Sequence, residues 1–310
     1  MRPIRYSIVR MFYLPFELNN RYSINTAVKD TAFIRDQSMN IKGNLLNFNK
    51  PLTMGILNIT TDSFYAGSRF PDPKNYLEVA HRMARDGADI LDIGAYSTRP
   101  GAADIDLETE KKNLIEAISA IRGALPEMAI SADTFRSGVA EAAVKAGADI
   151  INDISGGSLD GAMFETVAAL KVPYILMHTR GNPQTMNSKA VYHDLLGEIV
   201  FELSGKVNKL RQMGVADIII DPGFGFAKTA TQNFELLRRL NELSLFDAPI
   251  LAGLSRKSMI WRTLEVGPEN ALNGTSALNM IALQNGANIL RVHDVKEARE
   301  VIKLWSMLND

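Results

Sequence analysis

The chain of 310 residues contains no cysteine, so it uses no disulfide bond, thiolate metal site or cysteine nucleophile. Its formal net charge at pH 7 is −1, and neither Lys nor Arg dominates any long segment. This balance argues against nucleic acid or a membrane as a general partner. No apolar run approaches the length that crosses a bilayer. With 46% hydrophobic residues, the chain can bury the core of one large α/β domain.

One pattern recurs along the chain: a helix ends near a glycine, and an apolar strand follows that ends in polar residues. It is clearest in DGADILDIG (86–94), AGADIINDIS (146–155), MGVADIIIDPG (213–223) and NGANILRVHDV (285–295). Four further runs with the same polar finish are MGILNIT (54–60), MAISADT (128–134), VPYILMHT (172–179) and APILAGLS (248–255). The sequence therefore predicts eight strands separated by helices.

The stretch DIIIDPGFGFAK (217–228) joins a buried strand to a functional loop. Its three consecutive isoleucines suit a strand that is covered on both faces. Asp221 ends the strand, two glycines then free the backbone to bend, and Lys228 adds a cation. An acid at a strand end beside a glycine loop indicates a binding site.

Alternating strands and helices at this spacing predict parallel strands with right-handed crossovers. Eight such units close most simply as an α/β fold of the (β/α)₈ TIM barrel type, in which the polar strand ends converge on one mouth. We expect residues 39–52 to form an N-terminal β-hairpin that caps the opposite end. Helices are predicted at 75–86, 107–122 and 195–213, the last being the longest. The alternative is a doubly wound open sheet, which would scatter the polar side chains on either side of a switch point.

The N-terminal segment differs from the rest of the chain. Residues 1–38 lack clear periodicity, and we expect a loosely packed extension, for which an upstream translation start is one explanation; the barrel occupies 39–310. Arg10 and Pro15 interrupt what would have to be the apolar core of a signal peptide, so we expect cytoplasmic residence.

If the barrel closes, its mouth brings together two groups of side chains with different chemistry. The first group offers the acceptors and donors that the edge of an aminopyrimidine-type heterocycle needs: Asp92, Asp133, Asn152, Asp221 and Lys257. The second group, on neighbouring first and last strands, is Asn58, Arg291 and His293. An arginine fork suits phosphate, and an amide oxygen suits Mg²⁺ that keeps most of its water.

Each of these residues also has a purely structural interpretation. A carboxylate at the end of a parallel strand can cap the following helix, and His293 can be a structural hydrogen-bonding group. Arg291, two positions before His293, favours an anion site instead. His178 stays open between the two interpretations, whereas His81 and His193 lie in helical stretches and are expected on the surface.

Long motifs in the chain resemble, in the same order, those of the dihydropteroate synthases. They are MGILNITTDSF, DIGAYSTRPGA, ISADTFRSGVAEAAVKAGADIINDISGG, DPGFGFAKTATQN, LSRKSMI and RVHDVKEA. The resemblance runs from about residue 40 to the C-terminus. It implies a pterin-binding barrel that condenses 6-hydroxymethyl-7,8-dihydropterin diphosphate with 4-aminobenzoate to 7,8-dihydropteroate and diphosphate, at the site that sulfonamides occupy in the family.

The resemblance also implies roles for individual residues. Asp133, Asn152, Asp221 and Lys257 resemble the set that holds the pterin, with Met177 as its apolar neighbour. Asn58, Arg291 and His293 match the diphosphate and Mg²⁺ end, with Asn58 as the metal ligand. Thr98, Arg99, Phe226, Ser255 and Lys257 match the aminobenzoate side. Asp62 lies in the first loop, which the family is thought to close over the diphosphate. A homodimer through C-terminal helices is the family's usual assembly.

These roles predict a dissociative mechanism. Mg²⁺, Arg291 and His293 would stabilise the charge that grows on the departing diphosphate. The cation left on the pterin methylene would be offset by the nearby carboxylates, and we count Asp62, Asp92, Arg99 and Lys257 as catalytic. No covalent enzyme intermediate is required. Two residues depart from the family pattern: Thr61 replaces a proline, and Tyr96 replaces a glutamate.

Two other functions fit part of this set of residues. A pterin-binding methyltransferase shares the pterin carboxylates and amide, but has no need of Arg291, His293 and the run Ser255-Arg256-Lys257. A catalytically inactive pterin binder that is kept for partner contacts would be expected to have lost loop residues such as Asp62 or Arg99, and both are present.

Overall fold

Ten β-strands form within residues 38–41, 43–59, 73–96, 105–182 and 184–309, the ranges that the computed structural model describes. In chain order they are β1 Ser38–Ile41, β2 Asn44–Asn47, β3 Leu52–Asn58, β4 Ile90–Gly94, β5 Ala129–Asp133, β6 Ile150–Asp153, β7 Tyr174–Met177, β8 Ile218–Asp221, β9 Leu251–Ala252 and β10 Ile289–Val292. Eight of them, β3 to β10, are those that the repeated pattern predicts.

These eight strands form a single parallel sheet in the order β8-β7-β6-β5-β4-β3-β10-β9. The two ends of this order meet, because Ile220 of β8 forms a parallel bridge with Ile250, which directly precedes β9. The amide of Ile220 donates to the carbonyl of Pro249 at 2.8 Å. The sheet is therefore a barrel, and the doubly wound alternative is wrong.

Nine α-helices occur in the same described ranges and surround the barrel. They are α1 Pro73–Arg85, α2 Leu107–Ala124, α3 Ser137–Ala146, α4 Met163–Leu170, α5 Leu195–Gln212, α6 Ala230–Arg238, α7 Ser258–Trp261, α8 Leu272–Gln284 and α9 Val295–Asn309. The predicted bounds are correct to within two residues for α1, α2 and α5. The prediction that α5 is the longest helix is wrong, because α2 also has 18 residues.

Strands β1 and β2 pair antiparallel and form the predicted N-terminal hairpin. Gly43 makes the turn with φ of +88°, a conformation that glycine adopts without strain. Met39 is 2% exposed and packs with Met54 and Ile90, which lie near the starts of their strands. The hairpin therefore closes the amino-terminal end of the barrel with a buried methionine.

The barrel interior is layered by the alternation of side chains along each strand. Its lowest layer is apolar and consists of Met54, Ile90, Ala129, Ile150, Ile175, Ile219, Leu251 and Ile289. Two positions further along a strand, the side chain faces the same interior again. On five strands that residue is polar: Asp92, Ser131, Asn152, Asp221 and Arg291. The polar layer thus lies above an apolar floor, towards the carboxyl ends of the strands.

Almost all of the predicted extension, residues 1–38, lies outside the described residues, and Ser38 alone is seen as the first residue of β1. The described helices include none that combines the length and apolarity needed to span a membrane.

Candidate active site

Arg291 joins two carboxylates at the centre of the barrel mouth. Its Nε donates to Oδ2 of Asp92 at 2.6 Å, and its Nη2 donates to Oδ2 of Asp133 at 2.7 Å. Asn152 adds a donor, with Nδ2 at 3.0 Å from the same Asp92 oxygen. The Asp92 side chain is fully buried, while those of Asp133 and Arg291 are 15% and 19% exposed. The sequence predicts that Arg291 lies in a separate group with Asn58 and His293, whereas the structure shows it in direct contact with the carboxylates.

This contact exists because the arginine side chain is long and its strand lies close to both acids. Strands β4 and β10 both flank β3, so Asp92 and Arg291 approach each other across one intervening strand. Burial raises the pKa of Asp133 to about 7; the charge of Asp92 adds to the rise, and that of Arg291 opposes it. Burial acts to lower the pKa of Arg291, but the carboxylates of Asp92 and Asp133 outweigh it and raise that pKa.

Asp221 and Lys257 bring a further carboxylate and a further cation to the mouth, after the adjoining strands β8 and β9. Asp221 accepts a hydrogen bond from the amide of Gly223 at 2.7 Å, and burial raises its pKa against the opposing charge of Lys257. The Lys257 ammonium donates to the carbonyl of Phe224 and lies 4.9 Å from the centre of the Phe226 ring. Burial lowers the pKa of Lys257 to about 8, with Asp221 opposing this shift.

Lys257 also lies near the Arg291 group. A Cβ built on Gly253 would be 3.7 Å from Nζ of Lys257 and 4.0 Å from Cβ of Arg291. The absence of a side chain at Gly253 therefore leaves room between these two cations. The predicted residues Asp92, Asp133, Asn152, Asp221, Lys257 and Arg291 are thus brought together.

His293 pairs with Ser255 at the same end of the barrel. Their side chains approach at 3.0 Å between Nδ1 and Oγ, and the amide of His293 donates to the same Oγ at 3.2 Å. The serine oxygen already accepts from that amide, so its own hydroxyl proton is available for Nδ1. Ser255 thereby fixes the orientation of the imidazole. Because it contacts His293, Ser255 lies beside the predicted anion end as well as on the predicted aminobenzoate side.

Asn58 and Met177 complete the predicted residues that the structure describes. A Cβ built on Gly94 would lie 3.4 Å from Oδ1 of Asn58 and 3.4 Å from Cβ of Asp133, so these two side chains adjoin across the glycine. Met177 is buried at the end of β7, in register with Asp221 of β8. Asp62, Thr98 and Arg99 lie outside the described residues.

Of the two departures from the family pattern, Thr61 also lies outside the described ranges, whereas Tyr96 is described. The Tyr96 ring meets Phe135 edge to face, with 5.0 Å between the ring centres. The guanidinium of Arg136 lies 5.4 Å from each of the two ring centres. The tyrosine thus makes a ring contact with Phe135 and a cation–π contact with Arg136, whereas a glutamate would meet the guanidinium as an ion pair and lack the ring contact.

Several polar residues in or beside the mouth were given no role from the sequence. Lys228 and His178 bind each other behind the glycine loop, with 3.1 Å between Nζ and Nδ1. In the interior, Oγ of Ser131 and Oδ1 of Asp92 are buried without a hydrogen-bonding partner among the described residues. Ser131 pairs in register with Asp92, so the two-residue alternation that places Asp92 in the interior also places Ser131 there.

The residues present fit Mg²⁺ only in a particular way. In the part of the chain that the structure describes, no three His, Cys, Asp or Glu side chains are grouped to hold a metal ion. Asn58 offers one amide oxygen at the end of β3, beside Asp133. Mg²⁺ is commonly bound through one or two protein oxygens, with substrate phosphates and water as its other ligands. This site suits that mode and no dedicated protein cage.

Comparison with known proteins relates most of the chain to one family. The sequence model of the family described as "Pterin binding enzyme" matches residues 54–293. The dihydropteroate synthase of Synechocystis sp. is 45% identical over 258 residues, which are 82% of this chain and 89% of that protein.

Solved structures agree with the sequence comparison. A Yersinia pestis dihydropteroate synthase in a sulfonamide drug complex superposes with a TM-score of 0.84 at 36% identity, covering 88% of this chain and 99% of that one. The Xanthomonas albilineans dihydropteroate synthase with 4-aminobenzoic acid gives a TM-score of 0.81 at 35% identity, covering 88% and 98%. The shared barrel therefore extends over nearly the whole of each solved chain.

Proposed function

Because the chain belongs to the family of pterin-binding enzymes, and within it to the dihydropteroate synthases, we propose that the mouth described above binds its two substrates at adjoining subsites. The reaction condenses (7,8-dihydropterin-6-yl)methyl diphosphate with 4-aminobenzoate and releases diphosphate. The observation that carries the assignment is the convergence of Asp133, Asn152, Asp221 and Lys257 above the apolar floor of the barrel.

The pterin subsite is assigned to the buried acids and the amide. Asp133 and Asp221 accept N–H groups from the edge of the ring, and Asn152 supplies both a donor and an acceptor. Met177 packs against the ring face. Lys257 donates on the side of Asp221, whose neighbouring charge supports the ammonium form.

The diphosphate end is assigned to Arg291, His293 and Asn58. Nε and Nη2 of Arg291 bind Asp92 and Asp133, while Nη1 makes no hydrogen bond to the described residues. This nitrogen can therefore reach a phosphate oxygen without breaking the pairs that orient the guanidinium. When bound, Mg²⁺ would neutralise part of the charge of the diphosphate, and Asn58 would hold it.

The aminobenzoate subsite is assigned to Phe226, Ser255 and Lys257, together with Thr98 and Arg99. The Phe226 ring and the Lys257 ammonium are already in contact, so a second ring can lie beside both. Asp62 of the first loop is assigned to the closed state over the diphosphate.

In the mechanism that we propose, Arg291 and His293 stabilise the departing diphosphate more strongly than the bound ester, because the charge grows as the C–O bond breaks. Asp92, Asp133 and Asp221 offset the positive charge that develops on the pterin methylene. The amine of aminobenzoate then attacks that carbon, and no side chain forms a covalent bond to the substrate.

A single assay tests this function. The protein is mixed with the pterin diphosphate, 4-aminobenzoate and Mg²⁺, and free diphosphate is measured. We expect release that requires the arylamine, with formation of 7,8-dihydropteroate in equal amount. Release at the same rate without aminobenzoate would contradict the condensation.

The raised pKa of Asp133 predicts a pH dependence of pterin binding. The subsite needs the ionised carboxylate as an acceptor, and burial with the charge of Asp92 raises its pKa to about 7. In the substrate-free enzyme the protonated form therefore dominates below about pH 7, and we expect kcat/KM for the pterin diphosphate to rise as pH increases through this value. Asp133→Asn should lower kcat/KM at pH 8 and flatten its rise between pH 6 and 8. An unchanged rise in this variant would assign the titration to another group.

A homodimer is proposed from the surface of the last two helices. Leu304, Met307 and Leu308 of α9 are each more than 60% exposed, and Ile281 of α8 is 43% exposed. Exposed apolar residues on adjoining helices favour burial in an interface with a second copy of the chain. Sedimentation at micromolar concentration would give twice the chain mass, and a monomer there would contradict the proposal. Cytoplasmic residence stays a prediction from the sequence, to be checked by cell fractionation.

A further inference from the structure

Lys228 is a buried lysine that binds the loop preceding it and His178. Burial lowers its pKa to about 7, and the charge of Asp221 opposes this shift. The residue is 9% exposed. Its Nζ donates to the carbonyl of Gly223 at 3.0 Å and to the carbonyl of Phe226 at 3.1 Å, and it lies 3.1 Å from Nδ1 of His178. The ammonium form has three protons, so these three acceptors account for all of them. Lys228 therefore has no proton left for a substrate and acts on the loop itself.

His178 connects this ammonium group to helix α5. The imidazole is 2% exposed, and its Nε2 lies 3.0 Å from Oε2 of Glu202. Burial lowers the pKa of His178 to about 4, so the ring is neutral at physiological pH. Because Nδ1 accepts from Lys228, the proton of the neutral ring resides on Nε2 and is donated to Glu202. The chain of contacts thus runs from α5 through the imidazole to Lys228.

The loop between Asp221 and Lys228 needs such support, since its backbone is unusual. Gly223 and Gly225 have φ of +73° and +78°, and Ala227 has φ of +47°, which costs energy for a residue with a Cβ. Some of the bonds that hold this shape come from outside the loop: Asn233 accepts from the amide of Gly225 at 2.7 Å, and Tyr192 donates to the carbonyl of Ala227 at 3.0 Å. Among the described residues, Lys228 is the one whose side chain donates to two carbonyls of this loop.

We propose that Lys228, oriented by His178 and Glu202, is a positioning residue for the aminobenzoate subsite because it fixes the loop in the shape that presents Phe226. The inference rests on the proposed assignment of Phe226 to that subsite. Lys228 binds the carbonyl of Phe226 directly, and the Phe226 ring in turn lies against the ammonium of Lys257. Loss of Lys228 removes the donor of the partly buried Phe226 carbonyl and leaves the buried Gly223 carbonyl with the amide of Phe226 alone, so the loop loses both side-chain bonds that fix its backbone around Phe226.

Lys228→Met removes the ammonium and keeps most of the side-chain volume. We expect KM for 4-aminobenzoate to rise about tenfold or more, the factor that corresponds to one hydrogen-bond-sized loss of 1.4 kcal/mol. KM for the pterin diphosphate should change by less than about threefold, which lies within 0.7 kcal/mol. Hydrogen exchange of residues 222–227, followed by mass spectrometry, should become faster. Lys145→Met is the matched control, since Lys145 is exposed and pairs only with Glu141 among its described contacts.

Variants of His178 provide the second arm in case Lys228→Met does not fold. His178→Ala removes the acceptor for Lys228, whereas His178→Asn places an amide oxygen at the position of Nδ1. We expect the alanine variant to reproduce the selective rise in KM and the asparagine variant to recover part of it. Equal KM values for these two variants would overturn the positioning role.

Phe226→Leu separates failure of this inference from failure of the proposed subsite. If Phe226→Leu leaves KM for aminobenzoate unchanged, the assignment of Phe226 falls, and the inference falls with it. If Phe226→Leu raises that KM but Lys228→Met changes neither the KM nor the exchange of the loop, the positioning role of Lys228 alone is overturned.

Discussion

Replacement of Arg291 by alanine is expected to destabilise the protein by about 3–5 kcal/mol, the usual cost of removing one partner from a buried ion pair. Arg291 is bonded to Asp92 and Asp133, and the Asp92 side chain is fully buried. Without the guanidinium, two carboxylates whose charges repel each other would both lose the cation that they share. Urea unfolding monitored by circular dichroism measures this loss.

The loss should depend on pH in a definite direction. The charge of Arg291 opposes the rise in the pKa of Asp133, so its removal raises that pKa further above the unfolded value. A carboxyl group whose folded pKa is raised carries no penalty when it is protonated in both states, and its penalty grows as pH rises towards the folded pKa. We therefore expect the variant to lose less stability at pH 5 than at pH 8, relative to the unmodified protein.

A matched double variant isolates the cause. Asp133→Asn in the Arg291→Ala background removes one of the uncompensated charges, and it should recover part of the lost stability at pH 8 but little at pH 5. A stability loss that is the same at both pH values would show that lost packing, and not uncompensated charge, dominates at Arg291.

The single variant Arg291→Ala also tests the assignment of Arg291 to the diphosphate end. A charge-assisted hydrogen bond contributes about 1.5–3 kcal/mol, so we expect kcat/KM for the pterin diphosphate to fall by at least about tenfold to a hundredfold. Binding of free diphosphate, measured by calorimetry, should weaken in parallel, whereas KM for aminobenzoate should change much less. Unchanged affinity for diphosphate in a folded variant would remove Arg291 from the anion site.

The fold could be predicted in some detail because a parallel barrel repeats one local signal. Each apolar run that ends in a polar residue corresponds to one of the strands β3 to β10, and the period of two places Asp92, Asn152, Asp221 and Arg291 in one layer. The hairpin was also found from its own sequence, since Gly43 separates two short runs. Bounds were less accurate, and β9 is only two residues long although its run has eight.

Contacts between side chains on different strands were harder to predict. The first and last strands of a closed barrel are neighbours, which suggested that Arg291 would lie with Asn58 and His293. The length of its side chain lets it reach Asp92 and Asp133 instead. The partners of Lys228 depend on the path of a loop with three positive φ values, and no periodic pattern encodes that path. The sequence supplied the residue types at the mouth, and the geometry of loop and rotamer decided which of them pair.

Replacement of Lys257 by alanine is expected to impair both substrates, because this residue contacts the structures that form both subsites. On one side its ammonium binds the carbonyl of Phe224 and lies 4.9 Å from the Phe226 ring centre; on the other, its charge opposes the rise in the pKa of Asp221. Each lost charge-assisted contact should cost about 1.5–3 kcal/mol, or about tenfold to a hundredfold per substrate. Steady-state kinetics with each substrate varied in turn measures both effects, and Lys145→Ala serves as the exposed-lysine control.

A double-mutant cycle with Asp221→Asn distinguishes a direct role of Lys257 in pterin binding from a role through the loop. If Lys257 and Asp221 act as one unit on the pterin, the loss in the double variant should be smaller than the sum of the two single losses for that substrate. The losses for aminobenzoate should add, because Asp221 makes no described contact with the Phe226 ring. Additive losses for both substrates would separate Lys257 from the pterin subsite, and full activity of Lys257→Ala would contradict its place in either subsite.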